Sequence, residues 1–337
     1  MRSIGLQLAL ASIVFAAACS SDRALAPKSG HSGQLSDLPP EAFAAYIRTN
    51  LPGSDSVVAL NDSGDVVGAT ATGGVLWHGA AHERTTLPLI PTAIANDGTV
   101  AGSIDGHAAT WKSGHVTILD TATSVALAIC RCESATVIGS VVVDGVIHAA
   151  IWVDGIRIDA GVPPGAKRAK FSAIGGGFVL ANAVVRLPDP QFGDSTDFDQ
   201  PFSWTPAGGW HSFTTFPYSF ATIVAVNSHG LGVGSGVCFC NHTSSDELLY
   251  DVAAGTAQGQ PSIDPIFDIS PTGLNESGQI SENAFFSEDG GPLEAIALVN
   301  ERVLPPGVFG DRTGGINNAG VVAGNSNGSA VLWIPNP

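Results

Sequence analysis

Four of the five cysteines stand in two Cys-x-Cys pairs, Cys130 with Cys132 and Cys238 with Cys240. Four thiolates are a donor set for a tetrahedral zinc centre, and the same residues would also serve two disulfides. A second donor group, Asp189, Asp194, Asp197 and Asp199, lies in a stretch containing Pro, Gly and Ser. Clustered carboxylates can hold Ca²⁺ through oxygen ligands. Asp194, Asp197 and Asp199 lack the ordered ligand alternation and terminal Glu of a dedicated calcium loop, so a solvated acidic loop is the favoured reading and no cofactor is predicted. His82-Glu83-Arg84-Thr85-Thr86 fails the spacing of a helical zinc motif, and no phosphate-binding loop ending in Lys-Ser or Lys-Thr occurs.

The composition limits what such residues can serve. The 337 residues include 41 Gly and 21 Pro, with 44% hydrophobic and only 13% charged, which describes a folded, turn-rich chain. Thirty acids against fourteen bases give a net charge of −16, which repels a phosphate backbone. Nucleic acid is therefore not an expected partner. The length would accommodate two typical domains, although one all-β domain can absorb the whole chain.

The elements that must position these groups show themselves as a repeat. Asn61-Asp62-Ser63-Gly64-Asp65-Val66-Val67-Gly68 is followed by Leu76-Trp77, and Asn96-Asp97-Gly98-Thr99-Val100-Ala101-Gly102 by His107-Ala108-Ala109-Thr110-Trp111. Ser134 to Gly139 precedes His148-Ala149-Ala150-Ile151-Trp152, and a degenerate copy, Gly176 to Ala181, precedes Phe202-Ser203-Trp204 after an insertion. Further copies begin at Asn227, Asn275 and Asn317. Within a copy, short apolar runs alternate with Asp-Gly and Asn-Asp-Gly turns, whose residues accept φ > 0 in tight antiparallel connections. Each copy predicts a four-stranded meander, and such sheets bury both faces when stacked radially. The expected fold is all-β, a single β-propeller of about seven blades over residues 54–337, with six or eight as alternatives. The last copy supplies only about three strands, so an N-terminal donor between Gln34 and Asn50 is expected to close the ring. Residues 19–53 otherwise read as a polar tether followed by a short helix-like segment from Ala42 to Arg48.

On this frame the cysteine pairs fall at turns on opposite faces, two blades apart, which disfavours one Cys₄ centre. His107 and His148 recur at equivalent positions and read as structural, bonding a neighbouring strand. Trp77, Trp111, Trp152, Trp204 and Trp333 read as core between blades, with Trp210 outside that register.

Arg2 is the only charge before the apolar run Ile4 to Ala18, which is too short to span a bilayer and ends in small residues. Residues 1–18 therefore predict a secretory signal. Phe15-Ala16-Ala17-Ala18-Cys19-Ser20 resembles a bacterial lipobox, with Ala16 where Leu is usual. The resemblance implies that Cys19 is lipidated and becomes the mature N-terminus, and Ser20 after it favours the outer membrane or cell surface. Soluble periplasmic or secreted export is the alternative. In an oxidising compartment two local disulfides within the Cys-x-Cys pairs are favoured over cross-pairing, metal or free thiols.

Asn-Asp-x-Gly-x-Val-x-Gly followed by His-Ala-aromatic-x-Trp resembles the bacterial extracellular HAF repeat, here over residues 55 to 335. That resemblance implies export and a propeller-like fold and lends no catalytic residues. The sequence thus predicts a lipid-anchored, monomeric binding or scaffold module for an envelope protein or glycan. An exported carbohydrate-active enzyme with an axial site, or a structural envelope protein, stands as alternative.

Overall fold

The computed structural model describes residues 44–53, 55–79, 81–130, 136–188, 195–215, 220–237, 245–260, 268–286, 294–306 and 310–336. The signal segment, Cys19 and most of the tether lie outside them. Among the described residues no helix occurs, and the strands form seven four-stranded antiparallel sheets.

The first strand, β1 (Tyr46–Asn50), belongs to the last blade. Blade 1 comprises β2 (Ser56–Leu60), β3 (Val66–Thr70), β4 (Gly73–His78) and β5 (Glu83–Leu87). Blade 2 is β6 (Ile90–Ile94), β7 (Val100–Ile104), β8 (His107–Lys112) and β9 (His115–Ile118), which matches the four runs read from the sequence. Blade 3 is β10 (Ser124–Ile129), β11 (Thr136–Val143), β12 (Val146–Val153) and β13 (Ile156–Gly161). Blade 4 has longer strands, β14 (Ala166–Gly175), β15 (Phe178–Pro188) and β16 (Ser195–Thr205), before β17 (Gly209–Ser212). Blade 5 is β18 (Phe220–Val226), β19 (Leu231–Val237), β20 (Ser245–Asp251) and β21 (Thr256–Gln260). Blade 6 is β22 (Asp268–Leu274), β23 (Ile280–Phe286), β24 (Glu294–Val299) and the two-residue β25 (Arg302–Val303). Blade 7 is β26 (Arg312–Ile316), β27 (Val322–Ser326) and β28 (Ser329–Pro335), with β1 on its outer edge.

The chain is therefore a seven-bladed β-propeller closed by its N-terminal segment. β1 runs antiparallel to β28 from Tyr46 opposite Pro335 to Asn50 opposite Val331. The expected donor is found, but the helix-like reading of Ala42 to Arg48 is overturned over its described part. The unpaired edge of β28 offers Tyr46–Asn50 a ladder of backbone partners, and that tertiary opportunity outweighs the helix-forming residues around Ala44 and Ala45.

The turn chemistry follows the sequence. Asp105-Gly106, Asp144-Gly145 and Asp154-Gly155 all have positive φ at both positions, the geometry of a tight hairpin turn that matches strand twist. The core lies between blades. Trp77, Trp152 and Trp333 are fully buried, each opposite the first or second residue of the second strand of its blade. The Trp77 and Trp333 indole N–H groups donate to Pro52 O and Pro305 O in the connections entering their blades, and Trp152 reaches Asp120 Oδ2. A buried Trp needs such a partner, and each finds it across a blade boundary.

Candidate functional site

In all seven blades the ladder between the first and second strands carries a bulge, from Val57/Ala59 in blade 1 to Thr313/Gly315 in blade 7. The extra residues, Val58, Thr92, Leu127, Ser172, Val224, Thr272 and Gly314, line an axial cavity of about 440 Å³. A bulge re-aims a side chain and tightens local twist, so one residue per blade is turned toward the axis. The bulge also explains the last glycine of five of the repeats. A Cβ at Gly139 would lie 1.9 Å from the Val125 carbonyl oxygen, and one at Gly234 would lie 1.8 Å from that of Thr222.

One mouth of this cavity is rimmed by the Asn turns. Asn227 Nδ2 donates to Asn275 O, Asn275 Nδ2 to Asn317 O, Asn317 Nδ2 to Asn61 O and Asn61 Nδ2 to Ala95 O. The Asn227, Asn275 and Asn317 Oδ1 atoms each accept two backbone N–H groups of their own turn, and Asn61 Oδ1 accepts Asp65 N–H. The next residue makes a parallel circuit. Asp62 N–H donates to Asn96 Oδ1, Asn318 N–H to Asp62 Oδ1, Glu276 N–H to Asn318 Oδ1 and Ser228 N–H to Glu276. The Asx turns thus satisfy their own backbone, as expected of such residues, and additionally lace blades 5, 6, 7, 1 and 2 together. Cys130 takes the place of the Asn in blade 3, where its N–H donates to Thr136 O, and blade 4 turns through Gly176 and Gly177.

The acids at the rim, Asp62 and Glu276, come from equivalent positions and are held by neighbouring donors. They do not form the converging, non-equivalent set that an axial hydrolase would require. Among the described residues no group of three His, Cys, Asp or Glu is arranged to hold a metal ion.

Cys130 is buried at the end of β10, while Cys132, Cys238 and Cys240 lie outside the described residues. Asp194 does too. Asp197 and Asp199 are placed in β16, not in a loop, which corrects the acidic-loop reading. Their segment extends the blade by pairing Asp197 with Arg186 and Asp199 with Val184. Lys167 Nζ lies 2.7 Å from Asp197, and its hydrogen bond, with the charges of Lys167, Arg186 and Arg168, holds that carboxyl below its usual range. Cations therefore surround the carboxylate offered for calcium. His107 Nδ1 meets Ala122 O, and His148 Nδ1 meets Asp159 on the neighbouring strand, in keeping with structural roles. Trp210 stacks on Phe171 at 5.5 Å and donates to Ala160 O of blade 3, so it too belongs to a blade boundary. Gly324-Asn325-Ser326-Asn327-Gly328 has the spacing of a nucleophile elbow, but it forms a β-hairpin with Ser326 opposite Ser329 and not a strand-to-helix turn.

Sequence reasoning missed a pair of buried acids. Glu247 on β20 and Glu282 on β23 are 5% and 1% exposed, and neither Oε2 atom meets a hydrogen-bond partner. Burial, then the charge of Glu301, pushes the Glu247 carboxyl up to about 7. Burial, then the charge of Glu247, pushes Glu282 up to about 9, against a hydrogen bond from Glu301 N–H. A signal was present in the repeat. Glu282 stands where five other copies have Gly68, Gly102, Gly139, Gly234 and Gly324 and the fourth has Ala181, and Glu247 where five have Gly74, Ala108, Ala149, Ala297 and Ala330 and the fourth has Pro201.

No protein-family model matches the chain, and no curated protein is similar to it. Solved structures are similar in fold. The extracellular domain assigned to a one-component system of B. thetaiotaomicron superposes with a TM-score of 0.53 and 8% identity, over 86% of this chain and 40% of that one. A chain of the mitotic checkpoint complex superposes with a TM-score of 0.52 and 10% identity, over 91% of this chain and 99% of its own. The chain thus spans 40% of the first neighbour's length. At such identities the likeness shows the propeller fold.

Proposed function

We propose that the protein is an exported, lipid-anchored propeller of the HAF-repeat kind that acts as a binding module, taking the end of an envelope glycan or an extended protein segment at the axial mouth. The observation that carries this reading is the axial cavity itself, walled by one bulge residue per blade and rimmed by hydrogen-bonded Asn turns. Its wall includes apolar Val58, Leu127 and Val224, and its rim carries polar Asp62, Asn96 and Glu276, the mixture that fits a ligand with polar and apolar faces. The signal and lipobox resemblance of residues 1–19 support delivery to the outer membrane or cell surface. In an oxidising compartment a local bridge between Cys130 and Cys132 is the favoured state of that pair.

The test is calorimetric titration of the full chain with soluble envelope glycan fragments and extended peptides, repeated with Ser172→Trp, which fills the cavity. Binding of one class to the native chain, weakened about tenfold or more by the substitution, is expected. Failure of every member to bind, or equal binding by the filled variant, would overturn the reading.

A further inference from the structure

The boundary between blades 5 and 6 departs from the other six in four linked ways. First, the aromatic is missing. Trp77, Trp111, Trp152, Trp204, Tyr250 and Trp333 pair with the start of the second strand in their blades, whereas Ile280 meets Asn300, whose N–H donates to Ile280 O. Second, Glu282 replaces the repeat's glycine. At Gly68 and Gly324 a Cβ would meet a first-strand carbonyl oxygen, at 2.6 and 2.0 Å, and also the indole of Trp77 or Trp333, at 2.7 and 2.8 Å. In blade 6 the second of these obstacles is absent. Third, Glu247 replaces the small residue of the third strand that faces the following blade; in blade 1 a Cβ at the equivalent Gly74 would lie 2.5 Å from Pro91 of blade 2. Fourth, the hairpin that follows uses Asn300-Glu301, both at positive φ, where Ser113-Gly114 and Asp154-Gly155 serve the corresponding tight turns of blades 2 and 3. Glu301 holds a left-handed conformation that favours Gly, and so brings its N–H to Glu282 Oε1.

Side chains alternate along a strand, which fixes the directions. Leu248 and Tyr250 pack with blade 4, so Glu247 and Leu249 face blade 6. Ser281 and Asn283 bond toward Thr272 and Thr313 on the blade 7 side, so Ile280 and Glu282 face blade 5. Two carboxyls, each with an unpartnered Oε2, thus confront one another across a seam whose inner apolar cluster is only Val233, Leu274 and Ile280 with its partly buried neighbours.

Among the described residues, the charged groups packed around them are acids. β20 contributes Glu247, with Asp251 exposed at the strand end and Asp246 on its opposite face; β23 contributes Glu282 and the β24–β25 turn Glu301. β22 carries Asp268, which accepts Ser245 N–H at the strand end, and β19 and β21 carry no titratable residue. Arg302 beside the turn is exposed. A proton on each carboxyl neutralises the pair and supplies donors of the kind that its Oε2 atoms lack.

We propose that the boundary between blades 5 and 6 is a proton-held joint, closed when Glu247 and Glu282 are protonated and loosened when they ionise. The sign follows from burial: a carboxyl more easily protonated in the folded than in the unfolded chain adds stability at low pH that is lost as pH rises. Loosening is local, because the other six boundaries keep their aromatics and the Asn227–Asn275 link still holds blades 5 and 6 beside the axis.

The test is hydrogen exchange of the full native chain read by mass spectrometry from about pH 5 to about pH 9, corrected for intrinsic rates. Segments 245–251 and 280–286 are expected to lose protection by up to about tenfold per pH unit once one proton must leave, while blades 1 to 3 stay protected. Glu282→Gln, which keeps the shape and supplies a donor, is expected to flatten this dependence. Equal protection of both segments across the pH series, loss of protection spread evenly over all blades, or an unchanged dependence in Glu282→Gln would overturn the proposal. The pH series on the native chain decides the matter even where the variant does not fold.

Discussion

Asn317 Nδ2 donates a 3.1 Å hydrogen bond to the carbonyl oxygen of Asn61, 256 residues earlier in the chain. This buried bond joins the last blade to the first beside the axis, while β1 joins them at the rim. Replacing Asn317 with Ala removes that donor and also the Oδ1 that accepts Ala319 and Val321 N–H. Leaving such buried groups unpaired is expected to cost about 2 kcal/mol or more in urea unfolding. A cost within error of zero would show that the Asn circuit does not hold the ring.

The repeat glycines fall into two mechanical classes, and a matched pair separates them. Gly139→Ala forces a Cβ against the Val125 carbonyl and is expected to destabilise by about 3 kcal/mol. Gly145→Ala meets open space and carries only the strain of φ +80°, about 1 kcal/mol. Thermal melts of the two variants, with Gly145→Ala the higher, are the check.

Closure by β1 predicts the behaviour of a shortened chain. Deleting residues 1–50 leaves β28 with an unpaired edge and removes the Tyr46 Oη bond to Gly320 O. Exposed edges recruit other strands, so the variant is expected to associate, as read by light scattering after size exclusion. A stable monomer with the native melting temperature would contradict this.

Asp120 sets an acid limb of stability. Burial raises its pKa, but hydrogen bonds from Ala122 N–H, the Trp152 indole and Arg157, with the Arg157 charge, outweigh that and hold the carboxyl below its usual value. A depressed folded pKa gives stability that is present above the unfolded pKa and lost as pH falls through the folded one. Asp120→Asn is expected to cost about 1 kcal/mol at neutral pH, with the gap in urea melts closing as pH falls through the carboxyl's lowered pKa. A gap that does not narrow in acid would argue against the ion pair.

The blade pattern was legible because its signals are local. Asp144-Gly145 and Asp154-Gly155 announce hairpins on their own, and the spacing from each Asn turn to its Trp announces the meander. Ala42 to Arg48 misled because its state is decided by the open edge of β28, almost three hundred residues away. Asp197 and Asp199 misled because acidity was read as a loop, whereas Arg186 on the adjoining strand and Lys167 on the strand beyond it make an extended segment tolerable. Glu247 and Glu282 left no linear motif, since they meet only when two blades are laid side by side, yet each marks a position where other copies carry Gly or Ala.

The claim that this propeller is exported and held to a membrane through Cys19 is tested most directly by comparing the native chain with Cys19→Ala, reading the intact mass of the mature protein and its membrane fractionation. The account predicts a native N-terminus at Cys19 carrying diacylglycerol mass in the membrane fraction, and release of the variant. A native chain that is soluble and bears no lipid mass would contradict it.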